Sequence, residues 1–208
     1  MIEQGSKEWL ELRLGKVTAS RITDVLAKGK SGEAVTREDY RYELVVQRLT
    51  GNPGESFTNA AMEWGTATEP QARIMYEAKA GVFVNQVSFI DHPSIDNYGC
   101  SPDGLVDSDG LIEIKCPSSK NHIKYLNAGK PPAKYVPQMQ CQMAVTGRQW
   151  CDFVSFDPRL PPDLQLFVAR LDRDEEYIKS MEVEVIKFLT EVETMYTQLK
   201  ERNHGIKI

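Results

Sequence analysis

With 208 residues and a formal net charge of −5, the chain has the length of one large domain rather than two small ones. Its apolar, charged, glycine and proline fractions are those of ordinary soluble globular proteins, and no apolar run reaches the roughly 20 residues that span a bilayer, so no membrane association is expected. The acidity is local: nine acids face four bases between Asp172 and Glu201, whereas Arg13, Lys16, Arg21, Lys28 and Lys30 face only Asp24, a basic stretch suited to steering an anion or to a solvated helix face.

The start, MIEQGSKEWLEL, lacks the basic start and apolar core of a signal peptide, so a reducing cytoplasm is the expected compartment. The segment SKEWLELRLGKVTASRITDVLAKG predicts two short helices around a turn at Gly15, with Thr18 or Ser20 capping the second. KGKSGEAVT and TGNPGESFTN read as loops; between them REDYRYELVVQRLTG reads as a helix with Tyr40, Leu44, Val45 and Leu49 apolar and Gly51 as its stop. NAAMEWGTATEPQARIMYEAKAG is expected to be helical in its second half, with Thr68 as N-cap, Glu69 at the helix start, Pro70 in the first turn and Gly81 at the end.

From Val82 to Leu111 the pattern changes to period two, punctuated by turns such as DSDG, and LIEIK extends this sheet of short strands. YVPQMQCQMAVTG reads as a helix with Gln138 and Gln142 on one stripe and Gly147 as its stop. WCDFVSF and LQLFVARL follow as strands, and a closing helix from about Asp174 carries an apolar stripe from Tyr177 to Leu199. The pattern is that of a mixed α/β fold with a central sheet, in a single domain over residues 1–208. Cys100, Cys116, Cys141 and Cys151 stand singly, without the close pairs of zinc or iron–sulfur sites, and are expected as buried free thiols.

SPDGLVDSDGLIEIKCP, Ser101 to Pro117, carries the strongest chemical signal. Residues two apart on a strand point the same way, so Glu113 and Lys115 project together while Ile112 and Ile114 face the core, and a hairpin at DSDG would bring Asp103 beside Glu113. Two carboxylates on one face repel unless a cation lies between them. Magnesium is the natural one, being satisfied by one or two carboxylates, waters and phosphate oxygens, with the Ile114 carbonyl as a further donor. Lys115 would orient or deprotonate a water, or neutralise charge on an attacked phosphorus. Taken singly, the same residues suit a surface Glu–Lys pair and a turn aspartate; the combination favours catalysis.

Pro102, Asp103, Glu113, Ile114 and Lys115 resemble the signature of the PD-(D/E)xK nuclease superfamily. More closely, EWLELRLGKVTAS, EWGTATEPQAR, CSPDGL, IEIKCP and YVPQMQ, in that order from Trp9 to about Arg159, resemble the lambda-exonuclease (YqaJ-type) family of phage recombination exonucleases. The resemblance implies a restriction-endonuclease-like fold with a central mixed sheet flanked by helices. It implies magnesium, with manganese as a substitute, on Asp103, Glu113 and the Ile114 carbonyl, with Lys115 at the attacking water and Glu69 helping to assemble the metal site. Gln138 matches the family's active-site glutamine, with Gln140 and Gln142 as competitors. Arg13, Ser20 and Ser101 match residues that hold the substrate's 5′-phosphate, and Met62 lies where a relative inserts an apolar wedge into the terminal base pair, although core packing is the use expected of a methionine there.

The implied activity is 5′-to-3′ digestion of linear double-stranded DNA from 5′-phosphorylated ends, leaving 3′ single-stranded overhangs. The implied setting is the cytoplasm of a bacterial or phage-infected cell, as a homotrimer working with a single-strand annealing protein. A CRISPR-adaptation or repair nuclease of the same superfamily is one alternative, though the four cysteines lack the spacing of the iron–sulfur cluster that many of those carry. The other alternative, a non-catalytic DNA-end-binding module, is disfavoured because every matching metal and lysine position is filled.

Overall fold

The structure, a computed structural model, describes residues 2–54 and 59–202. Helix α1 (Lys7–Arg13) begins where the Ser6 hydroxyl accepts from the Trp9 N–H, and Gly15 turns the chain with φ +68°. Instead of a full second helix there follow β1 (Val17–Thr18), a single 3-10 turn and the one-turn α2 (Ile22–Val25). Neither Thr18 nor Ser20 caps it; their hydroxyls lie 3.3 Å apart and turn toward Arg13. Helix α3 (Val35–Thr50) buries Tyr40, Leu44 and Val45 and ends at Gly51, but Leu49 remains on the solvent side.

The next helix departs further from expectation. Helix α4 (Ala60–Ala80) is continuous, starting two turns before Thr68, because the Asn59 side chain accepts from the N–H groups of Ala61 and Met62, each at 3.0 Å. Pro70 lies inside it, and Thr68 is a buried mid-helix residue on the same inward face as Ala72 and Tyr76. A proline withdraws one backbone donor; the apolar face packed on the sheet keeps the helix running through it.

Strands β2 (Val84–Asn85), β3 (Ile90–Asp91), β4 (Tyr98–Cys100), β5 (Gly104–Val106) and β6 (Gly110–Lys115) then form the expected sheet region. Helix α5 (Ser119–Ala128) has no clear hydrophobic period in the sequence; only its ends, Ser118 and the left-handed Gly129, signal it. Helix α6 (Val136–Thr146) ends at Gly147 as expected, and β7 (Trp150–Phe156), β8 (Leu166–Asp172) and α7 (Glu175–Arg202) complete the chain.

The main sheet has the order β2-β5-β6-β7-β8, antiparallel except for the parallel pair β6 and β7; a smaller sheet, β1-β4-β3, lies beside it. Helix α4 covers one face of the main sheet, packing on Ile112, Ile114, Val154 and Phe156. A larger core including Leu111, Phe153, Met139, Val185 and Phe188 joins the other face to α6, α3 and α7. Alternation along β6 therefore sends its isoleucines toward α4 and Glu113 toward α6. At Gly104 a Cβ would fall 2.1 Å from Val84 Cγ1, so the residue after Asp103 has no room for a side chain. No helix among the described residues is long and apolar enough to cross a membrane.

Candidate active site

The three-residue connection from β4 to β5, Ser101 to Asp103, passes from one sheet to the other. Pairing of Gly104 with Ile112 brings Asp103 alongside Glu113, as the hairpin reading expected. Asp103 Oδ2 accepts from the backbone N–H of Ile114 at 2.6 Å, which pins the acid to the strand. Desolvation beneath the surrounding protein, then the charge of Glu113, pushes its pKa well above the usual carboxylate range, with Lys115 opposing.

Glu113 is 1% exposed, and both its oxygens are held. Oε1 accepts from Gln138 Nε2 at 2.7 Å and pairs with the Lys115 ammonium; Oε2 accepts from Gln142 Nε2 at 2.6 Å. Of the three glutamines, Gln138 and Gln142, one turn apart, both reach the acid. Gln140 turns away to the backbone of Asp172 and Asp174. Burial would lower the Lys115 pKa, but Glu113 and Asp103 outweigh it and hold the amine above its ordinary value. In this arrangement Lys115 is a cation, placed to neutralise charge or to orient a water.

Glu69 sits in the third turn of α4, not at a helix start, so dipole stabilisation does not account for it. Its Oε1 accepts from Arg73 Nη2 at 2.6 Å, and burial, with Glu113 adding to it against Arg73, raises its pKa. Glu69, Asp103, Ile114 and Lys115 line a cleft of about 810 Å³, closed on its other side by Tyr135 and Arg159. A groove of about 870 Å³ along α7, lined by Arg48, Ile186 and Thr190, contains none of these residues.

Asp103, the Ile114 carbonyl and Glu113, whose oxygens already accept from Gln138 and Gln142 and pair with Lys115, are the hard oxygen donors magnesium takes, and the mutual repulsion of Glu69, Asp103 and Glu113 is what a cation would relieve. Among the described residues no three His, Cys, Asp or Glu side chains form a ready cage. An ion here would therefore fill its shell with water or phosphate oxygens.

Arg13 forms a second centre next door, linked through Ser101. Its Nη2 lies 3.3 Å from Ser20 Oγ and 3.4 Å from Thr18 Oγ1, and its Nη1 lies 3.5 Å from Ser101 Oγ. The guanidinium rests 4.0 Å from the centre of the Trp9 ring, and Trp9 Nε1 donates to Ser101 Oγ at 2.9 Å. Burial draws the Arg13 pKa below its ordinary value, and among the described residues no carboxylate pairs with it. A cation ringed by hydroxyls and without an acid among the described residues can take up an anion. Sequence reasoning missed Trp9 and treated Thr18 only as a cap; the i, i+4 spacing of Trp9 and Arg13 on one helix was the available signal.

Met62, in the first turn of α4, is 52% exposed and lines the cleft, so core packing is not its use. The four cysteines are free; Cys100, Cys141 and Cys151 are buried, while Cys116 is half-buried beside the cleft.

A mixed sheet with helices on both faces, carrying Glu113 and Lys115 on β6 and Asp103 just before the adjoining β5, has the arrangement that the PD-(D/E)xK resemblance implied. Residues 8–149 match the YqaJ-like viral recombinase domain, and the chain belongs to that family. Crystal structures of LHK-Exo, an alkaline exonuclease from Laribacter hongkongensis, one of them in complex with dAMP, are 50% identical to this chain. Each superposes with a TM-score of 0.91 over 97% of this chain and 100% of the other. A phage-related exonuclease from Haemophilus somnus, 17% identical, shares the fold with a TM-score of 0.65 over 90% of this chain and 96% of its own. An uncharacterized protein of Acanthamoeba polyphaga mimivirus is 26% identical over 191 residues, 85% of this chain; the chain spans 31% of that protein's length.

Proposed function

We propose that this protein is a metal-dependent exodeoxyribonuclease that digests linear duplex DNA 5′ to 3′ from 5′-phosphorylated ends, leaving 3′ single-stranded overhangs for recombination. Family membership and 50% identity to an alkaline exonuclease support the DNA exonuclease activity. The observation that carries the finer reading is the adjacency of two centres: Asp103, Glu113 and Lys115 on one side of Ser101, and an arginine without an acidic partner among the described residues on the other.

Asp103, Glu113 and the Ile114 carbonyl would hold magnesium, with manganese as a substitute. Bound there, the ion supplies Lewis acidity toward the phosphate and a nucleophile at neutral pH. Lys115 neutralises charge building on the attacked phosphorus and orients the incoming water. Gln138 and Gln142 fix the Glu113 carboxylate, and Glu69 adds negative charge on the opposite wall. Arg13, with Ser20 and Ser101, grips the terminal 5′-phosphate, setting the next phosphodiester at the acids. Met62, exposed at the mouth, parts the terminal base pair. A homotrimer in the cytoplasm, feeding a single-strand annealing protein, is the setting that the family resemblance favours.

The test is to incubate the protein, with magnesium or with chelator, with duplexes phosphorylated at one end only and to sequence what remains. Magnesium-dependent loss of the phosphorylated strand from its 5′ end is expected. Digestion from 3′ ends, or undiminished digestion in chelator, would overturn the reading.

A further inference from the structure

Among the described residues three cations line the cleft, and only Lys115 belongs to the site described above. Arg159 is the most firmly built of the others. Its Nε and Nη2 donate to the two oxygens of Asp157 at 2.7 and 3.0 Å, and Nη2 also donates to the Pro117 carbonyl at 3.0 Å. Its guanidinium lies 4.5 Å from the centre of the Trp64 ring. Asp157 is wholly buried, whereas the Arg159 side chain keeps 47% of its exposure. One edge and one face of the guanidinium are thus immobilised by protein, while Nη1 has no protein partner among the described residues. A fork held this way loses little further freedom on meeting a phosphate.

Lys134 stands on the same cleft, exposed and without an ion pair among the described residues, its ammonium 4.6 Å from the centre of the Tyr135 ring. The Lys115 ammonium lies 5.3 Å from that same ring, so the aromatic side chain connects the free cation to the proposed reaction centre. Arg13, Ser20 and Ser101 do not line this cleft, so its cations are separate from those of the terminal-phosphate pocket. A polyanion brought over Glu69, Asp103 and Glu113 meets repulsion there; Lys134, without an ion pair among the described residues, supplies positive charge against it, and Arg159, its charge balanced by Asp157, supplies the open Nη1 donor.

We propose that Arg159, braced by Asp157 and Trp64, and Lys134 are phosphate-contacting residues that hold the backbone of the substrate strand in the cleft beside Asp103 and Lys115. This inference rests on the nuclease reading for the identity of the strand. Arg159 supplies a preorganised planar donor and Lys134 a point charge beside the Tyr135 ring, so together they retain DNA of any sequence.

The test uses binding of a fluorescently labelled, 5′-phosphorylated duplex in chelator, titrated with salt, alongside steady-state digestion in magnesium. Lys134→Gln and the double substitution Asp157→Asn with Arg159→Gln, which removes both members of the ion pair together, are compared with wild type. Each is expected to weaken binding about tenfold at fixed salt and to raise KM with kcat nearly kept. Each should also flatten the dependence of log affinity on log salt by about 0.7 to 0.9 for every phosphate no longer neutralised, which a purely structural defect would not do. If circular dichroism shows that the double variant fails to fold, Arg159→Lys replaces it; it keeps the ion pair but loses the fork, and an unchanged KM there overturns the role of Arg159. Folded variants with unchanged salt slope and KM overturn the proposal. Wild-type protein that binds DNA but never digests it would sink the nuclease reading instead, and the salt slopes would still decide whether these residues touch phosphate.

Discussion

Gln142 donates its side-chain amide to Glu113 Oε2 at 2.6 Å from within the core, one turn beyond the glutamine to which the motif points. Gln138 reaches the other oxygen from a half-buried position at the same acid. The two substitutions should therefore behave differently. Gln138→Ala should slow digestion with little change in melting temperature, whereas Gln142→Leu should slow it and also cost about 1–3 kcal/mol, since a buried carboxylate oxygen loses its donor. Urea unfolding alongside a digestion assay separates them; equal stability of the two variants would contradict the division.

Asp103→Ala and Glu113→Ala should both abolish cleavage, yet their stabilities should diverge. Removing Asp103 relieves desolvation and repulsion, so stability should hold or rise. Removing Glu113 strands the Gln142 amide and leaves Lys115 without its partner, so the protein should weaken. Lys115→Ala should be inactive while still binding magnesium, as followed by calorimetry, because its role is exercised in the transition state.

Arg13→Ala should slow digestion of phosphorylated ends about ten- to a hundredfold, the range implied by a charge-assisted bond of about 1.5–3 kcal/mol. Hydroxyl ends should hardly change. The ratio of the two rates, measured at one salt concentration, is the quantity to follow; an unchanged ratio would make Arg13 part of a general basic surface. Trp9→Leu, by removing the ring beneath the guanidinium and the donor to Ser101, should move that ratio in the same direction by a smaller amount.

Asp157 offers a pH test of structure away from the acids. Burial alone would raise its pKa, but Arg159 and Ser119 outweigh it and hold it down at about 2. A carboxyl depressed from its ordinary value of about 3.9 contributes stability above that value and loses it as pH falls through the folded pKa. Asp157→Asn should therefore cost about 2 kcal/mol at pH 7, with the gap to wild type closing between about pH 4 and 2. Unfolding curves across that range check it, and a constant gap would assign the loss to packing instead.

The sequence alone determined what is set by neighbours in the chain. Strand periodicity placed Glu113 and Lys115 on one side of β6 and the isoleucines on the other, and a short hairpin returned Asp103 to Glu113. Glycines at positions 51, 81 and 147 marked helix ends because a left-handed residue terminates a helix wherever it occurs. Packing chose which of the three glutamines face the acid, since helix periodicity groups Gln138 with Gln142 but does not say which face meets β6. It also kept α4 continuous through Pro70, with Glu69 in its third turn, because Ala72 and Tyr76 pack against the sheet. And it brought Trp9 to Ser101, 92 residues away, making one pocket of residues whose separate local uses, a helix face and a turn, gave no sign of one another. Local rules act through the backbone of a few residues; the meeting of distant side chains depends on how whole elements bury their apolar faces, and that is settled only when the chain is packed.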